Sequence, residues 1–537
     1  DAPVVEIPKL GILKGSLSET FWDKKKIFQF LGVKYGESPK GARRFKKAEL
    51  AKSWKGIRDA TKRGQLCADD KNIHEFMKTG TVDDLEDCLY LSVYSKNLKG
   101  NSTVMFYIPS SGYFDDKSEK PPNFLLEEDI VLVVPNYRTG VLGFFSTNSK
   151  EIPGNAGFYD IILALEWVQN YIKYFGGDPS SVTVFGQGFG AAIADLLFVS
   201  PDVPDHYFHK AILQSGSLLC PWAVENNNER QIKDIGYRAG CNRNNLAIDN
   251  VNKAALEVNV EELLNDIWDC KYECSNFEPE YLGLSRIVVE GNMPQEVKKL
   301  RRKQKPVMLG VTKNEGTFAF AKVYNILLNR IDIEYEKHNS YIMLDYINDF
   351  LSIDDKAGLN SIFGAKEFFT QEQLVEGNFN KMVNGFIDYC GTLMYKAPIL
   401  KTAQLHAQTD ADNTFVYSFD YLGKVSNFTN ISKIGDVPHK GGVYHSSENL
   451  YLFPSPELIK NMSKEDLDFA RMIVQFWTSF AKRGTPRAEN VEKWPAFTKV
   501  TGPVYHLDAK PYVTKSFTDE FRATVKDAEN GKSLVKK

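Results

Sequence analysis

A glycine-rich turn at residues 186–190 has the spacing of a hydrolytic nucleophile motif but lacks the nucleophile. The segment reads G-Q-G-F-G, follows the β-branched run at 182–185, and precedes an apolar stretch of helical character. In a G-x-S-x-G turn, the glycines allow the sharp bend that raises a serine hydroxyl above a sheet for attack on a carbonyl. Gly188 stands at the serine position, and glycine has no side chain that can attack.

Alternating strand and helix patterns surround this turn. Apolar spacing predicts a helix over residues 160–171 and a second helical face from Leu467 to Phe480. Alternation of this kind is typical of α/β proteins, in which helices cover a parallel or mixed sheet. No long Pro/Gly-rich linker interrupts the pattern, so the sequence predicts a single domain over residues 1–537. Runs bounded by turn residues predict buried strands at 104–108, 130–134, 182–185, 211–213, 307–311 and 415–419.

Several motifs, in a fixed order, resemble those of the type B carboxylesterase and cholinesterase family over nearly the whole chain. They are E-D-C-L-Y-L at 86–91, N-Y-R-x-G-x-x-G-F at 136–144, P-G-N-x-G at 153–157, F-G-G-D-P at 175–179 and Q-S-G-S at 214–217. The resemblance implies an α/β-hydrolase fold, with a large central, mostly parallel sheet flanked by helices. It also implies a triad in the chain order nucleophile, acid and histidine.

Matched residue by residue, the resemblance places the family's acid at Glu315, within N-E-G, and its histidine at His445, within G-V-Y-H-S-S-E. With Gly188, these are the remnant triad positions, and only the nucleophile is missing. The family's oxyanion glycines correspond to P-S-S-G-Y at 109–113, where added side chains obstruct backbone N–H groups from approaching an oxyanion. The remnant oxyanion positions are Ser111, Gly112 and Phe189.

These departures predict that the chain is not an enzyme. In a triad that acts as a unit, loss of the serine costs on the order of 10⁶ in turnover, and the residual ~10³–10⁴ depends on the oxyanion hole and on binding. Ser110 or Ser111 as a substitute nucleophile is the competing interpretation, but neither lies on the elbow. Natural loss of activity explains the joint change of elbow and oxyanion segment better than an engineered knockout. Glu315 and His445 then form a plain buried pair.

The seven cysteines are an odd number, so at least one is not paired within the chain. The resemblance implies a disulfide between Cys67 and Cys88 at the rim of the pocket. The loop between them contains no tryptophan, so a choline site like that of the cholinesterases is not expected. Cys241 matches the first cysteine of the family's second bridge, and its pairing with Cys270, with Cys274 or with neither stays open.

Composition and charge exclude several classes of protein. A formal net charge of −3 supplies no field that would hold nucleic acid. The aliphatic run at 130–134 is far shorter than the ~18 residues of a membrane helix. No spacing typical of a zinc site occurs, and neither a metal nor another cofactor is expected. The start at Asp1, without an apolar signal core, is expected of a mature or trimmed chain.

Four N-x-S/T sequons favour a secreted, glycosylated chain, because two of them lie only three residues apart and a single sequon is a common accident. Their acceptor residues are Asn101, Asn427, Asn430 and Asn461.

One branch of the family has lost catalysis and acts in cell adhesion and the extracellular matrix, and the neuroligins, neurotactin and gliotactin belong to it. The missing serine makes this chain similar to that branch. The resemblance implies an extracellular protein of the matrix or basement membrane that binds a protein partner. Two other functions stay open: capture of an apolar ligand without cleavage, and residual ester hydrolysis by an unusual route.

A dense basic run at residues 298–305 is the remaining feature of interest. Such runs are usually solvated helix ends, and the alternative here is a site for a sulfated glycan or an acidic partner. Its basic residues are Lys298, Lys299, Arg301, Arg302, Lys303 and Lys305.

Overall fold

The computed structural model describes residues 2–69, 72–79, 84–110, 119–225, 227–242, 244–264, 287–288, 297–321, 365–425 and 441–532, together with residues 324, 347 and 534. The chain folds as two compact units. Unit 1 comprises residues 1–210 and 223–300, and unit 2 comprises residues 211–222 and 301–537. The interpretation of residues 1–537 as one domain stays a prediction.

The strands, numbered in chain order, are β1 (Val4–Ile7), β2 (Gly11–Lys14), β3 (Ser16–Glu19), β4 (Lys26–Lys34), β5 (Ile57–Asp59), β6 (Tyr90–Ser95), β7 (Ser102–Ile108), β8 (Ile130–Pro135), β9 (Gly177–Gln187), β10 (Lys210–Gln214), β11 (Val224–Glu225), β12 (Ile287–Val288), β13 (Val307–Thr312), β14 (Thr414–Phe419), β15 (Val504–Leu507) and β16 (Tyr512–Thr514). Each of the six strands predicted from the β-branched runs lies within one of these elements.

The α-helices are Ile73–Thr79, Gly140–Phe144, Ala156–Tyr171, Phe189–Val199, Glu229–Arg238, Ile248–Glu257, Val260–Leu264, Gln371–Glu376, Phe379–Gly391, Ala397–Asp410, Asn449–Leu452, Pro456–Asn461, Lys464–Arg483 and Ala523–Glu529. Among the helices of the described residues, none has both the length and the apolar character that a bilayer span requires.

The larger sheet of unit 1 contains six strands in the order β3-β4-β6-β8-β7-β9. Strand β7 pairs in parallel with both β8 and β9, whereas β4 pairs antiparallel with β3 and β6. All six residues of β8 are buried, as expected for an aliphatic strand covered on both faces. Unit 1 also contains a three-stranded sheet in the order β1-β2-β5.

The described residues of unit 2 include five strands in the order β10-β13-β14-β15-β16, with β10 included from its second residue onward. The first four are parallel, and β16 joins β15 antiparallel at the edge. Strands β13 and β14 are buried along their whole length. Parallel strands connected through helices confirm the predicted α/β class.

The helix Lys464–Arg483 shows how local sequence sets the elements of unit 2. The Ser463 side chain accepts a hydrogen bond from Asp466 N–H while the Asp466 side chain accepts one from Ser463 N–H, so both free donors are satisfied. The helix ends at Gly484, whose φ of 73° suits glycine. Its predicted apolar face is buried, since Trp477 and Phe480 are both 0% exposed.

Candidate functional site

The elbow lies in unit 1, where β9 ends at Gln187 and the helix Phe189–Val199 begins. Gly188 joins the two elements with φ 56° and ψ −120°, a conformation that residues with a Cβ rarely adopt. The turn is tightly packed, because a Cβ on Gly190 would lie 2.1 Å from the carbonyl oxygen of Ile108. The strand–turn–helix predicted from the G-Q-G-F-G segment is therefore present.

The backbone N–H of the residue after the elbow glycine already donates a hydrogen bond within the chain. Phe189 N–H donates a hydrogen bond of 3.3 Å to the Oγ of Ser110, whose residue is 3% exposed. In a G-x-S-x-G site, this N–H is one of the donors that stabilise the oxyanion of the reacting ester. Ser111 and Gly112, the other two predicted oxyanion positions, lie outside the described residues.

The acid and the histidine lie together in unit 2. Glu315 Oε2 and His445 Nδ1 are 2.7 Å apart, and both side chains are 0% exposed. The other carboxylate oxygen, Oε1, accepts hydrogen bonds from Thr312 N–H at 2.8 Å and from the Ser215 hydroxyl. Tyr395 packs on the His445 ring with the two ring centroids 4.4 Å apart. The carboxylate thus has three partners, which fix both the acid and the imidazole ring.

Hydrogen bonds between two loops of unit 2 hold Glu315 and His445 in place. Asn314 N–H donates to the Val443 carbonyl oxygen, and Val443 N–H donates back to the Asn314 side-chain oxygen, each at 2.9 Å. The Glu315 loop also needs glycine next to it, since a Cβ on Gly316 would lie 1.7 Å from the Ile387 carbonyl oxygen. The N-E-G segment and the G-V-Y-H segment are therefore joined by one hydrogen bond between their main chains and one to the Asn314 side chain.

Glu448, the last residue of the histidine motif, has an unusual environment that the sequence did not indicate. It is 0% exposed, and the Tyr417 hydroxyl donates to its Oε1 at 2.9 Å. Burial, and secondarily the charge of Glu315, raises the pKa of Glu448 to about 8. A buried carboxyl with this pKa is largely protonated at neutral pH and places no second negative charge beside Glu315.

The cysteine predictions are confirmed in part. Cys67 and Cys88 form the implied disulfide. Cys241 is half-buried and is not disulfide-bonded in the structure, while its two proposed partners, Cys270 and Cys274, lie outside the described residues. The signal for Cys67–Cys88 came from the resemblance, since seven cysteines allow many pairings.

Two of the four sequons fall on described residues. Asn101 precedes β7 and Asn461 ends a short helix, and both are exposed. Asn427 and Asn430 lie outside the described residues. The exposed pair has the surface position that an attached glycan requires.

The basic run at 298–305 is open to solvent only in part. Arg302 is 2% exposed and Lys305 is 8% exposed, so neither head group is presented to solvent. Lys299 and Arg301 are exposed, and Lys298 and Lys303 are half-buried. The run begins with a 3₁₀ turn, Val297–Lys299, and residues 289–296 lie outside the described residues.

A buried ionic cluster in unit 2 is formed by Asp420, His506 and Glu520, the group of side chains among the described residues that could ligate a metal. His506 Nδ1 lies 2.7 Å from Asp420 Oδ2, and His506 Nε2 lies 2.8 Å from Thr514 Oγ1. Burial alone lowers the pKa of His506, but the hydrogen bond and charge of Asp420 raise it above the usual range. Both ring nitrogens of His506 already have hydrogen-bond partners, so neither is free to ligate a metal.

A cavity that opens to solvent lies beside Ser110 in unit 1, and its interior volume is about 30 Å³. Its wall includes Cys67 of the disulfide and the residues at the ends of β7 and β8. The lining residues are Arg63, Leu66, Cys67, Pro109, Ser110, Val134, Pro135, Asn136, Tyr137 and Thr139. This volume holds about two water molecules, well below the ~300–1,000 Å³ of small-molecule sites.

The sequence model described as "Carboxylesterase family" matches residues 1–524. Glutactin of Drosophila melanogaster is 26% identical over 525 residues, which cover 93% of this chain and 49% of glutactin. Esterase FE4 of Myzus persicae is 28% identical over 92% of this chain and 89% of its own length. Juvenile hormone esterase of Tribolium castaneum is 29% identical over 90% of this chain and 84% of its own length. The chain therefore spans about half the length of glutactin.

Proposed function

Because the chain belongs to the carboxylesterase family, we propose that it is a non-catalytic member that acts outside the cell by binding a protein partner. Cell adhesion and the extracellular matrix are the settings in which we place it. The similarity to glutactin supports placing the chain in the inactive branch of the family. Enzymes such as esterase FE4 share the same family, so the proposal depends on the site rather than on the fold.

The observation that carries the proposal is the hydrogen bond from Phe189 N–H to Ser110 Oγ. An ester oxyanion would have to displace this buried hydroxyl before it could accept from the same N–H. Removing one oxyanion donor typically costs ~10²–10³ in kcat. This cost adds to the missing hydroxyl at Gly188, so nucleophilic attack and oxyanion stabilisation are weakened together.

Retention of Glu315 and His445 is compatible with an inactive chain. Both side chains are fully buried, and the carboxylate accepts three hydrogen bonds within unit 2. Removing either partner would leave a buried polar group unsatisfied, which typically costs ~1–3 kcal/mol. Stability alone therefore gives a reason to keep the pair after catalysis is lost.

An extracellular location is supported by covalent chemistry. The Cys67–Cys88 disulfide belongs to an oxidising compartment, since cytosolic thiols are kept reduced. The exposed sequons at Asn101 and Asn461 add to this, because N-glycans are attached only to chains that enter the secretory route.

A chromogenic short-chain ester assay tests the proposal. We expect no turnover above buffer from the wild-type chain, and little or none from Gly188→Ser, because Ser110 still occupies the Phe189 donor. Turnover by the wild-type chain that disappears in His445→Ala would establish a residual hydrolase and reject the non-catalytic assignment. Recovery of a protein partner from a screen of cell-surface and matrix proteins supports the binding role, and failure across a full screen counts against it.

Capture of an apolar ligand without hydrolysis is the second candidate, and the apolar lining of the cavity beside Ser110, rather than its size, favours it. Leu66, Val134 and two prolines give this cavity an apolar wall, and Arg63, Asn136 and Thr139 supply polar groups. A thermal-shift screen with lipophilic esters separates the two candidates. A stabilising shift with such esters, abolished by Val134→Arg at the cavity wall, supports ligand capture; no shift with any ester leaves the protein-binding role.

A further inference from the structure

The small sheet β1-β2-β5 of unit 1 carries a concentration of exposed basic side chains that the sequence pattern did not reveal. Residues 2–14 and 52–62 contain six basic residues and two acidic ones, whereas the whole chain has a net charge of −3. All six basic side chains are exposed. We call them the basic edge: Lys9, Lys14, Lys52, Lys55, Arg58 and Lys62.

The sheet topology brings the two sequence segments together. Strand β5 runs parallel to β2 with Ile12 opposite Ile57 and Lys14 opposite Asp59, and β5 is the last strand of this sheet. Lys9 and Lys55 therefore lie before the starts of two adjacent parallel strands, and Lys14 and Lys62 lie at or after their ends. An extended chain spans at most ~3.6 Å per residue, so residues 55–62 form a basic strip of up to ~25 Å.

Within the described part of the chain, none of the six side chains of the basic edge forms an ion pair with a carboxylate. By contrast, two basic residues that precede β5 are paired: Lys40 lies 3.2 Å from Asp84, and Arg43 lies 3.0 Å from Glu49. The cations of the basic edge therefore have no carboxylate partner of the kind that these two residues have.

Three acidic groups lie near the basic edge, too few to offset its six cations. Asp59 accepts a hydrogen bond from Thr61 N–H at 2.9 Å. Its pKa is lowered, first by its bonds from Thr61 and then by the charges of Lys14 and Lys62. Glu37 accepts from Lys52 N–H at 2.8 Å, and Glu6 is exposed on β1. The excess of positive charge therefore stays available to a partner.

Arg58 is held in place for recognition. Its guanidinium lies 4.4 Å from the Trp54 ring centroid, and Trp54 Nε1–H donates to the Ile12 carbonyl oxygen at 3.1 Å. Stacking on an anchored ring limits the rotamers of the guanidinium, and a planar guanidinium binds oxyanions through two parallel hydrogen bonds.

We propose that the basic edge binds a sulfated glycan chain. A linear polyanion matches an extended strip of unpaired cations, and sulfate oxygens match the guanidinium of Arg58. The oxidising compartment indicated by the Cys67–Cys88 disulfide argues for an extracellular polyanion rather than a nucleic acid. This inference deepens the proposed binding function and rests on its extracellular setting, and it places a glycan site at the edge of this sheet, separate from residues 298–305.

Binding of the full chain to immobilised heparin by surface plasmon resonance tests the proposal. The variant Lys55→Ala/Arg58→Ala/Lys62→Ala removes three cations of the basic edge. The control Lys460→Ala/Lys464→Ala/Lys493→Ala removes three exposed lysines of unit 2 and so makes the same change in net charge. Each cation near an anionic surface strengthens binding about fivefold, so the first variant, which lacks three cations, should bind on the order of 100-fold more weakly. The control should change less than about threefold, and desulfated heparin should not compete.

Equal weakening of both triple variants would show general electrostatic attraction and overturn the proposal, as would failure of the wild-type chain to bind heparin. Loss of an acidic protein partner, with heparin binding unchanged, would assign the basic edge to a protein instead. All substituted side chains are exposed, so matching thermal unfolding midpoints confirm that each variant is folded. The ester assay and the partner screen are independent readouts, so a negative heparin result does not decide whether the chain is catalytic.

Discussion

Replacement of Glu448 by glutamine is expected to stabilise the protein above pH 7 and to change its stability little near pH 5. The carboxyl is fully buried, Tyr417 donates to its Oε1, and its Oε2 has no hydrogen-bond partner among the described residues. Burial first, and the charge of Glu315 second, raises the pKa of Glu448 to about 8. Glutamine copies the neutral acid in size and keeps the oxygen that accepts from Tyr417.

The magnitude follows from proton linkage. The unfolded side chain titrates near 4.5, so between that pH and about 8 the folded chain holds a proton that the unfolded chain has released. The stability contributed by this proton is therefore complete below pH 4.5 and falls by up to about 1.4 kcal/mol per pH unit as the pH rises. Over the full interval the wild-type chain loses roughly 4 kcal/mol that the glutamine variant does not lose.

Urea unfolding midpoints measured at pH 5, 6, 7 and 8 test this prediction. The difference between Glu448→Gln and wild type should grow with each step in pH, because other titrating groups such as His506 contribute equally to both chains. Glu457→Gln removes an exposed acid and serves as the matched control, with no pH-dependent gain expected. Parallel midpoint curves, or a Glu448→Gln chain that is less stable than wild type at pH 8, would refute the argument.

Three further predictions concern the elbow, the disulfide and the acid loop. Gly188→Ser should lower the free energy of unfolding by about 1–3 kcal/mol, because its φ is positive, and urea denaturation measures this. Cys67→Ser/Cys88→Ser should lose about 3 kcal/mol for a loop closed across 21 residues, seen as an earlier urea midpoint. Gly316→Ala should cost more than about 3 kcal/mol or prevent folding, since its Cβ would overlap a carbonyl oxygen; soluble yield and thermal unfolding report it. Unchanged midpoints in any of the three would contradict the corresponding contact.

The local sequence pattern was sufficient to predict those elements whose structure depends on a single segment of the chain. The apolar spacing from Leu467 to Phe480 predicted a helix, and Ser463 and Gly484 supply its two ends. The aliphatic run at 130–134 became the fully buried strand β8. The G-Q-G-F-G segment became a turn between a strand and a helix, because glycine at position 188 adopts the positive φ of this turn without support from distant residues.

Features that join distant segments could not be predicted in the same way. The hydrogen bond between Ser110 and Phe189 joins residues 79 apart in sequence, and no motif encodes it. Density of basic residues along the sequence drew attention to 298–305, yet Arg302 and Lys305 are buried. The basic edge is assembled from 2–14 and 52–62 by strand pairing, so it is invisible to a search for local charge runs.

Intact-mass spectrometry after incubation with a reactive organophosphate tests the central claim most directly, because this reagent forms a covalent bond with an activated hydroxyl regardless of which ester the protein would prefer. We predict no mass increase of the wild-type chain, since position 188 has no hydroxyl and the Ser110 hydroxyl is engaged with Phe189 N–H. A stoichiometric adduct on any serine that is lost in His445→Ala would contradict the non-catalytic assignment.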